Sequence, residues 1–275
     1  MYLTDFVYND VKLSSLGFMV GSSVTSNNES ASAGSKLDLQ TVMNQGNHIN
    51  QIINAQYNEC ITVTFDIIKY ACTDTIDTIV EDKEISYFMR WLNRTTNHKF
   101  FPIYNDLSFY NIYFNGTFTD ISTIQMGGHV VGFTVTFVAN TPYGYADFNE
   151  QEFDILESNG HFIYYDESDE YGIHYPEKVI LTLTAAGDVH LKNMLSNKTT
   201  IINNCSSGEI ITFDCIHRTV RTSMPTTHST FHKDFNYVFP SICNTEVTRE
   251  NIITSNVPCN YKLTYKPIRK VGIVV

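Results

Sequence analysis

The 275-residue sequence lacks any run near the roughly 18 apolar residues that a membrane-spanning helix needs. Its opening Met1-Tyr-Leu-Thr-Asp-Phe6 has no basic region and no apolar stretch, so no secretory signal is expected. Basic residues are scarce: 18 Lys and Arg face 29 Asp and Glu, for a net charge of -11. The positives come singly or in pairs, as at Arg269-Lys270, whereas phosphate backbones and anionic membranes call for clustered ones. A sequence-specific nucleic-acid role and a membrane role are therefore not expected, and the acidic balance points to solubility. No C-x-x-C pair, G-x-S-x-G elbow, P-loop or H-E-x-x-H is present. There is no internal repeat and no coiled coil. Without a secretory signal, most of the six cysteines (60, 72, 205, 215, 243 and 259) are expected to be reduced.

What is abundant is aromatic and β-branched. Seventeen Tyr and eighteen Phe, with many Thr and Ile, favour strands over helices. The stretch Gly127–Ala146 organises the chain. Val131, Phe133, Val135 and Phe137 fall on one face of a strand at 129–139, and Thr134 and Thr136 on the other. Asn140-Thr-Pro-Tyr-Gly144 then breaks it, since proline removes a donor and glycine permits a reversal. This elbow places a boundary between residues 1–146 and 147–275, each of ordinary domain size, and is expected to hold two modules at a set angle. Before it come a hairpin of 2–8 with 11–20 around Asn9-Asp10, a Ser/Asn/Gly-rich loop at 21–36 and strands at 60–70, 99–104 and 109–118. One helix lies there too, capped by Asp82, with Ile85, Phe88, Met89 and Leu92 at helical spacing and Trp91 at its border. After the elbow, strands are expected at 151–156, 161–165, 178–185, 199–203, 209–216, 235–239 and 260–266. About seven short strands at this spacing suggest an antiparallel sandwich.

Three groups could carry chemistry. Cys205, Cys215, His228 and His232 offer metal-binding atoms, and His228-Ser-Thr-Phe-His232 has the spacing of a zinc finger's histidine pair. Nine residues separate the cysteines, however, where a zinc knuckle has two to four. They read as strand and loop residues, and no metal or other cofactor is expected. Asp166-Glu-Ser-Asp-Glu170 concentrates carboxylates, but Asp166, Glu167, Asp169 and Glu170 lack the spacing of a calcium loop and read as a solvated turn. Phe162-Ile-Tyr-Tyr165 could stack on sugar rings, although alternating aromatics in strands are more often core. No catalytic residue is assigned.

The order of these features resembles the siphophage distal tail protein family. The likeness rests on Phe6-x-Tyr-Asn-Asp10, Leu16-Gly-Phe-Met-Val20, the Ser/Asn loop, the Ile61–Tyr70 strand, Arg90-Trp-Leu-Asn93, the Tyr110–Phe118 strand and Asn140-Thr-Pro-Tyr-Gly144. It continues through Asn159-Gly160, Tyr175-Pro176, Gly208-Glu-Ile-Ile-Thr-Phe-Asp214, Phe239-Pro240 and Tyr261-x-Leu-x-Tyr-Lys-Pro-Ile-Arg269. Two departures stand out. Ser241–Glu250 replaces the family's Pro-Gly turn, and no aromatic follows Arg269.

The resemblance implies a mainly β protein: an N-terminal β-barrel-like or split-sheet domain with one helix, then a C-terminal galectin-like β-sandwich. It implies a structural, non-enzymatic virion protein of a phage tail tip, assembled in the host bacterial cytoplasm. Residues 1–146 would form a ring, usually hexameric, joining the tail tube protein to the tail-tip hub, with DNA passing through. Residues 147–275 would hold receptor-binding or baseplate proteins. Two other functions compete: a carbohydrate-binding module in the C-terminal half, and a hydrolase built on the acidic turn.

Overall fold

The computed structural model describes residues 2–21, 34, 36–44, 46, 49–57, 59–69, 78–106, 111–147 and 149–275. The chain divides into Met1–Tyr145 with Arg269–Val275, and Ala146–Ile268. Up to the elbow, the strands are β1 (Leu3–Tyr8), β2 (Val11–Lys12), β3 (Phe18–Gly21), β4 (Leu37–Asn44), β5 (Ile49–Tyr57), β6 (Thr62–Lys69), β7 (His98–Tyr104), β8 (Ile112–Met126), β9 (His129–Ala139) and β10 (Gly144–Ala146). One helix, α1 (Asp82–Leu92), falls between β6 and β7. Antiparallel pairing runs in the order β2-β1-β7-β8-β9-β6-β3, while among the described residues β4 and β5 pair only with each other. That order does not return on itself, so these strands make a split, open sheet and not a closed barrel. No helix among the described residues is long and apolar enough to cross a membrane.

Turn chemistry sets the register. Asn9 and Asp10 have φ of 49° and 62°, and Tyr8 pairs with Val11 across them. Gly127 and Gly128, at 61° and 85°, join Met126 to His129 in the same way. Two successive left-handed residues match the twist of the flanking strands, the preferred two-residue hairpin connection. The expected strand over 11–20 is interrupted: Leu13–Leu16 form a 3-10 turn that ends at left-handed Gly17. Most of the 21–36 loop lies outside the described residues.

Alternation in β9 buries Phe133, Val135 and Phe137 completely. At the centre of the first unit sits Phe6, whose ring lies 5.7 Å from Phe65, 5.8 Å from Trp91, 5.1 Å from Phe100 and 5.9 Å from Phe118. Each such side chain fully buried stabilises the fold by roughly 1.5–3 kcal/mol. Trp91 is core, and its Nε1 donates to the Tyr8 carbonyl at 2.9 Å. The helix N-cap is Glu81, one residue before the expected Asp82, and its N–H donates to the Glu84 carboxylate at 2.8 Å. The terminal segment adds Ile273 to this core.

In the second unit the strands are β11 (Asn149–Ile155), β12 (Gly160–Tyr165), β13 (Gly172–His174), β14 (Lys178–Leu183), β15 (Gly187–Asn193), β16 (Lys198–Cys205), β17 (Ile210–Asp214), β18 (Thr219–Thr222), β19 (Ile242–Asn244), β20 (Glu250–Ser255), β21 (Cys259–Tyr265) and β22 (Ile268–Arg269), the last reaching the unit boundary. Sheet β11-β21-β14-β17-β18 faces sheet β12-β20-β15-β16 across one core. Phe162 of one sheet stacks on Phe153 of the other at 4.2 Å and contacts Tyr261 at 4.9 Å. The expected strand at 235–239 is absent. A single helical turn, α2 (Phe231–Asp234), precedes it, and left-handed Tyr237 (φ 58°) bends the chain so that Phe235 and Phe239 both enter the core.

Gly132 offers a direct check of the sheet. A Cβ there would lie 2.2 Å from the Ile67 carbonyl oxygen of the neighbouring strand, whereas one on Gly21 meets nothing closer than 3.4 Å. Gly132→Ala is expected to cost about 1–3 kcal/mol in chemical denaturation, and Gly21→Ala much less. Equal stability of the two variants would show that β6 and β9 are not paired in this register.

Candidate functional site

The turn between β16 and β17 is the Cys205–Glu209 segment, which reverses through left-handed Gly208 (φ 77°). That reversal folds the Glu209 side chain back into the protein, where it is fully buried. Its Oε2 accepts the Ser206 N–H at 2.9 Å, and its Oε1 accepts the Thr222 hydroxyl at 2.5 Å. The same Oε1 lies 2.8 Å from His228 Nδ1. On the far side of the ring, Nε2 lies 3.3 Å from Asp234 Oδ2. Asp234 in turn accepts from the Thr230 hydroxyl at 2.5 Å and from Asn204 Nδ2 at 3.0 Å. Both ring nitrogens thus face carboxylates. The network ties the 224–235 segment to the β16–β17 turn.

One ligand-type atom from each of Cys205, Glu209 and His228 lies within 4.8 Å of the others. Two of the four residues singled out by type, Cys205 and His228, are therefore brought together. Cys215 lies elsewhere, its Sγ against the Pro240 carbonyl at 3.9 Å, and His232 is exposed. Glu209, which the sequence reading passed over, supplies the third group; a carboxylate four residues from Cys205 across a glycine turn was the available signal. The carboxylate and both imidazole nitrogens already have hydrogen-bonding partners. Burial pushes the Cys205 thiol up to about 12, and Glu209, Asp188 and Asp234 add to the rise. A thiol so placed is a poor nucleophile.

The acidic turn spreads its four carboxylates over buried, half-buried and exposed positions. Asp166 is buried and accepts the Ser168 N–H at 3.0 Å, Glu167 is exposed, and Asp169 and Glu170 are half-buried. The aromatic run splits as a strand should: Phe162 and Tyr164 are core, while Ile163 and Tyr165 are exposed. A single exposed tyrosine in that run leaves little platform for a sugar ring.

Exposed apolar side chains gather on the β4–β5 ribbon. Leu37, Leu39, Val42, Met43, Ile49, Ile52 and Ile53 are all exposed, Ile53 by 67%. Val42 and Met43 are adjacent at regularly paired positions of β4, so both faces of the ribbon carry apolar side chains. None of this was anticipated, because residues 36–57 show no clean alternation.

Residues 1–141 match the family model described as the phage tail protein N-terminal domain, and residues 143–265 the phage tail C-terminal domain. The chain belongs to the phage tail protein family. Among solved structures, this phage tail protein is similar to the Dit protein of phage SPP1, described as a paradigm of the hub adsorption apparatus in phages infecting Gram-positive hosts. Identity is 12% and the TM-score 0.62, with 96% of this chain and 99% of that one covered. A chain of the phage P2 baseplate in its activated conformation gives 8% identity and a TM-score of 0.43, over 96% and 98%. A search of curated proteins finds no match. These findings bear out the distal-tail resemblance and the mainly β fold. The protein is a phage tail component, hence part of the virion, in a family of structural and not enzymatic proteins.

The buried network has a pH signature. Burial pushes Glu209 up, but hydrogen bonds from Thr222, Ser206 and His228 more than offset it and leave the carboxyl below its ordinary 4.5. The unfolded chain then binds the proton more readily, so this stability is present above pH 4.5 and drains away as pH falls through the depressed value. Glu209→Gln should flatten the acid limb of a stability–pH curve. His228→Ala, which strips a partner from two carboxylates, should cost about 3–5 kcal/mol at neutral pH. A loss below 1 kcal/mol would mean that the network does not hold the turn.

Proposed function

We propose that this phage tail protein is a ring-forming adaptor with no catalytic role. Residues 1–146 form a ring, hexameric in this reading, that joins the tail tube protein to the tail-tip hub and lets DNA pass. Residues 147–275 hold receptor-binding or other baseplate proteins, and assembly takes place in the host bacterial cytoplasm.

The observation that carries the reading is the β4–β5 ribbon. A two-stranded hairpin is marginal by itself in water, and among the described residues this one pairs with no other strand. Its seven exposed large apolar side chains gain stability only when another surface covers them. A neighbouring copy related by rotation supplies that surface in every subunit at once, which is how heterologous contacts close a ring. Family membership and the Dit-like fold support the placement at the tail tip.

Sedimentation at high concentration is expected to give about six subunits, as closed rotational symmetry allows. Replacing Ile52 and Ile53 together with lysine should return the chain to a monomer with unchanged melting. A wild-type chain that stays monomeric, combined with tails that assemble normally from the double-lysine variant, would overturn the proposal.

A further inference from the structure

In the second unit, away from the Glu209 network, two cations converge on one phenol. Tyr175 follows β13, Lys198 opens β16, and Arg218 ends the Cys215–Arg218 turn between β17 and β18. Lys198 Nζ donates to the Tyr175 hydroxyl at 2.7 Å. The Arg218 guanidinium carbon lies 3.7 Å from the centre of the Tyr175 ring and 5.4 Å from that of Phe239. Hydrogen bonding by Lys198 is the largest influence on the Tyr175 hydroxyl, which sits below its ordinary value; burial opposes it, and Arg218 adds to the lowering.

Two features of this arrangement are unfavourable in themselves. Arg218 has a φ of 54°, in the left-handed region that glycine and asparagine tolerate and a long side chain does not favour. Two like charges are also drawn to a single ring, Lys198 Nζ lying 5.1 Å from its centre. The chain carries 29 acidic residues against 18 basic ones, yet neither cation makes an ion pair with a carboxylate among the described residues. Stacking on Tyr175 and Phe239 accounts for Arg218 alone. It leaves unexplained why a second uncompensated cation is brought to the same hydroxyl. Like-charge convergence is what an anion would relieve on binding, and the strained backbone at Arg218 is tolerated where it presents that guanidinium.

We propose that Tyr175, Lys198 and Arg218 form an anion subsite for a phosphate group, free or esterified. A guanidinium, an ammonium and a phenol offer donors in different directions, which suits a tetrahedral oxyanion. A planar carboxylate would be satisfied by the guanidinium fork alone.

The test is calorimetric titration of the full chain with inorganic phosphate and with dimethyl phosphate, acetate serving as the carboxylate control. Saturable phosphate binding is expected, with acetate binding much more weakly. Tighter binding of the diester than of the free anion would identify an esterified phosphate as the ligand, and the reverse order a free one. Arg218→Gly should weaken binding at least about tenfold, as loss of a charge-assisted contact does. Its melting temperature should hold or rise, because glycine suits that backbone. Lys198→Gln tests the second cation without touching the strained position and should weaken binding to a similar degree. Absence of saturable binding by both phosphates, acetate binding as tightly as phosphate, or affinity unchanged in both variants would each overturn the proposal.

Discussion

The first unit depends on Phe6. This one side chain of β1 touches rings from β6, β7, β8 and α1, so it is where helix and sheet are keyed together. Tilted and edge-on ring pairs add to what burial alone gives, and they fix mutual orientation as well as proximity. Trp91 carries the constraint further. Its ring stacks near Phe6 while its indole N–H is satisfied by the Tyr8 carbonyl, so a large polar-tipped side chain enters the core without an unpaired donor. With the core closed in this way, the β4–β5 ribbon has no inward role. Its apolar side chains stand outside that core.

The second unit is held by different means. Its sandwich has an aromatic layer, but it also buries Asn193, Asn244, Asn251, Ser241 and Ser255. Asn251 Oδ1 accepts from the Cys243 N–H at 2.7 Å and from Asn193 Nδ2 at 2.8 Å, while Asn251 Nδ2 donates to the Cys243 backbone carbonyl at 2.9 Å. One side chain thus does the hydrogen bonding of a short strand. This happens at the Ser241–Glu250 segment, where the Pro-Gly turn of the resembled family is missing. A satisfied polar interior specifies loop positions more narrowly than apolar packing, because any shift leaves a buried group unpaired. The Glu209–His228–Asp234 network follows the same logic at the other turn.

These differences explain what was legible in the sequence. Strand β9 was readable because Phe133, Val135 and Phe137 alternate against threonines and one face is buried throughout. The α1 helix was readable from its spacing, to within one residue at its cap. Strand β20 was not, since its inward positions include Asn251 and Ser255, whose burial depends on partners distant in the sequence. The misread strand at 235–239 had the opposite fault: Phe235 and Phe239 look like strand residues, but left-handed Tyr237 turns the chain between them. Residues 36–57 gave no reading because a ribbon exposed on both faces imposes no period. At the buried cluster, residue type was enough to pair Cys205 with His228. Glu209 escaped notice because its place depends on Thr222 and Ser206, contacts that only the turn geometry creates.

Polar groups are normally left to the surface and apolar ones to the core. Here the second unit keeps asparagines and a carboxylate–imidazole network inside, while the first leaves isoleucines and leucines outside on a ribbon. Each exception is costly in an isolated subunit. Most of the interior polar groups are compensated locally, by partners within hydrogen-bonding distance in the same unit, the exceptions being Tyr164 Oη, Asp166 Oδ2 and Asn244 Oδ1. No compensation for the ribbon lies within the described chain, and its two apolar faces are long enough to require a surface comparable to its own. That asymmetry separates an interior held mainly within one copy from a surface that, in the ring proposed above, a neighbouring copy covers.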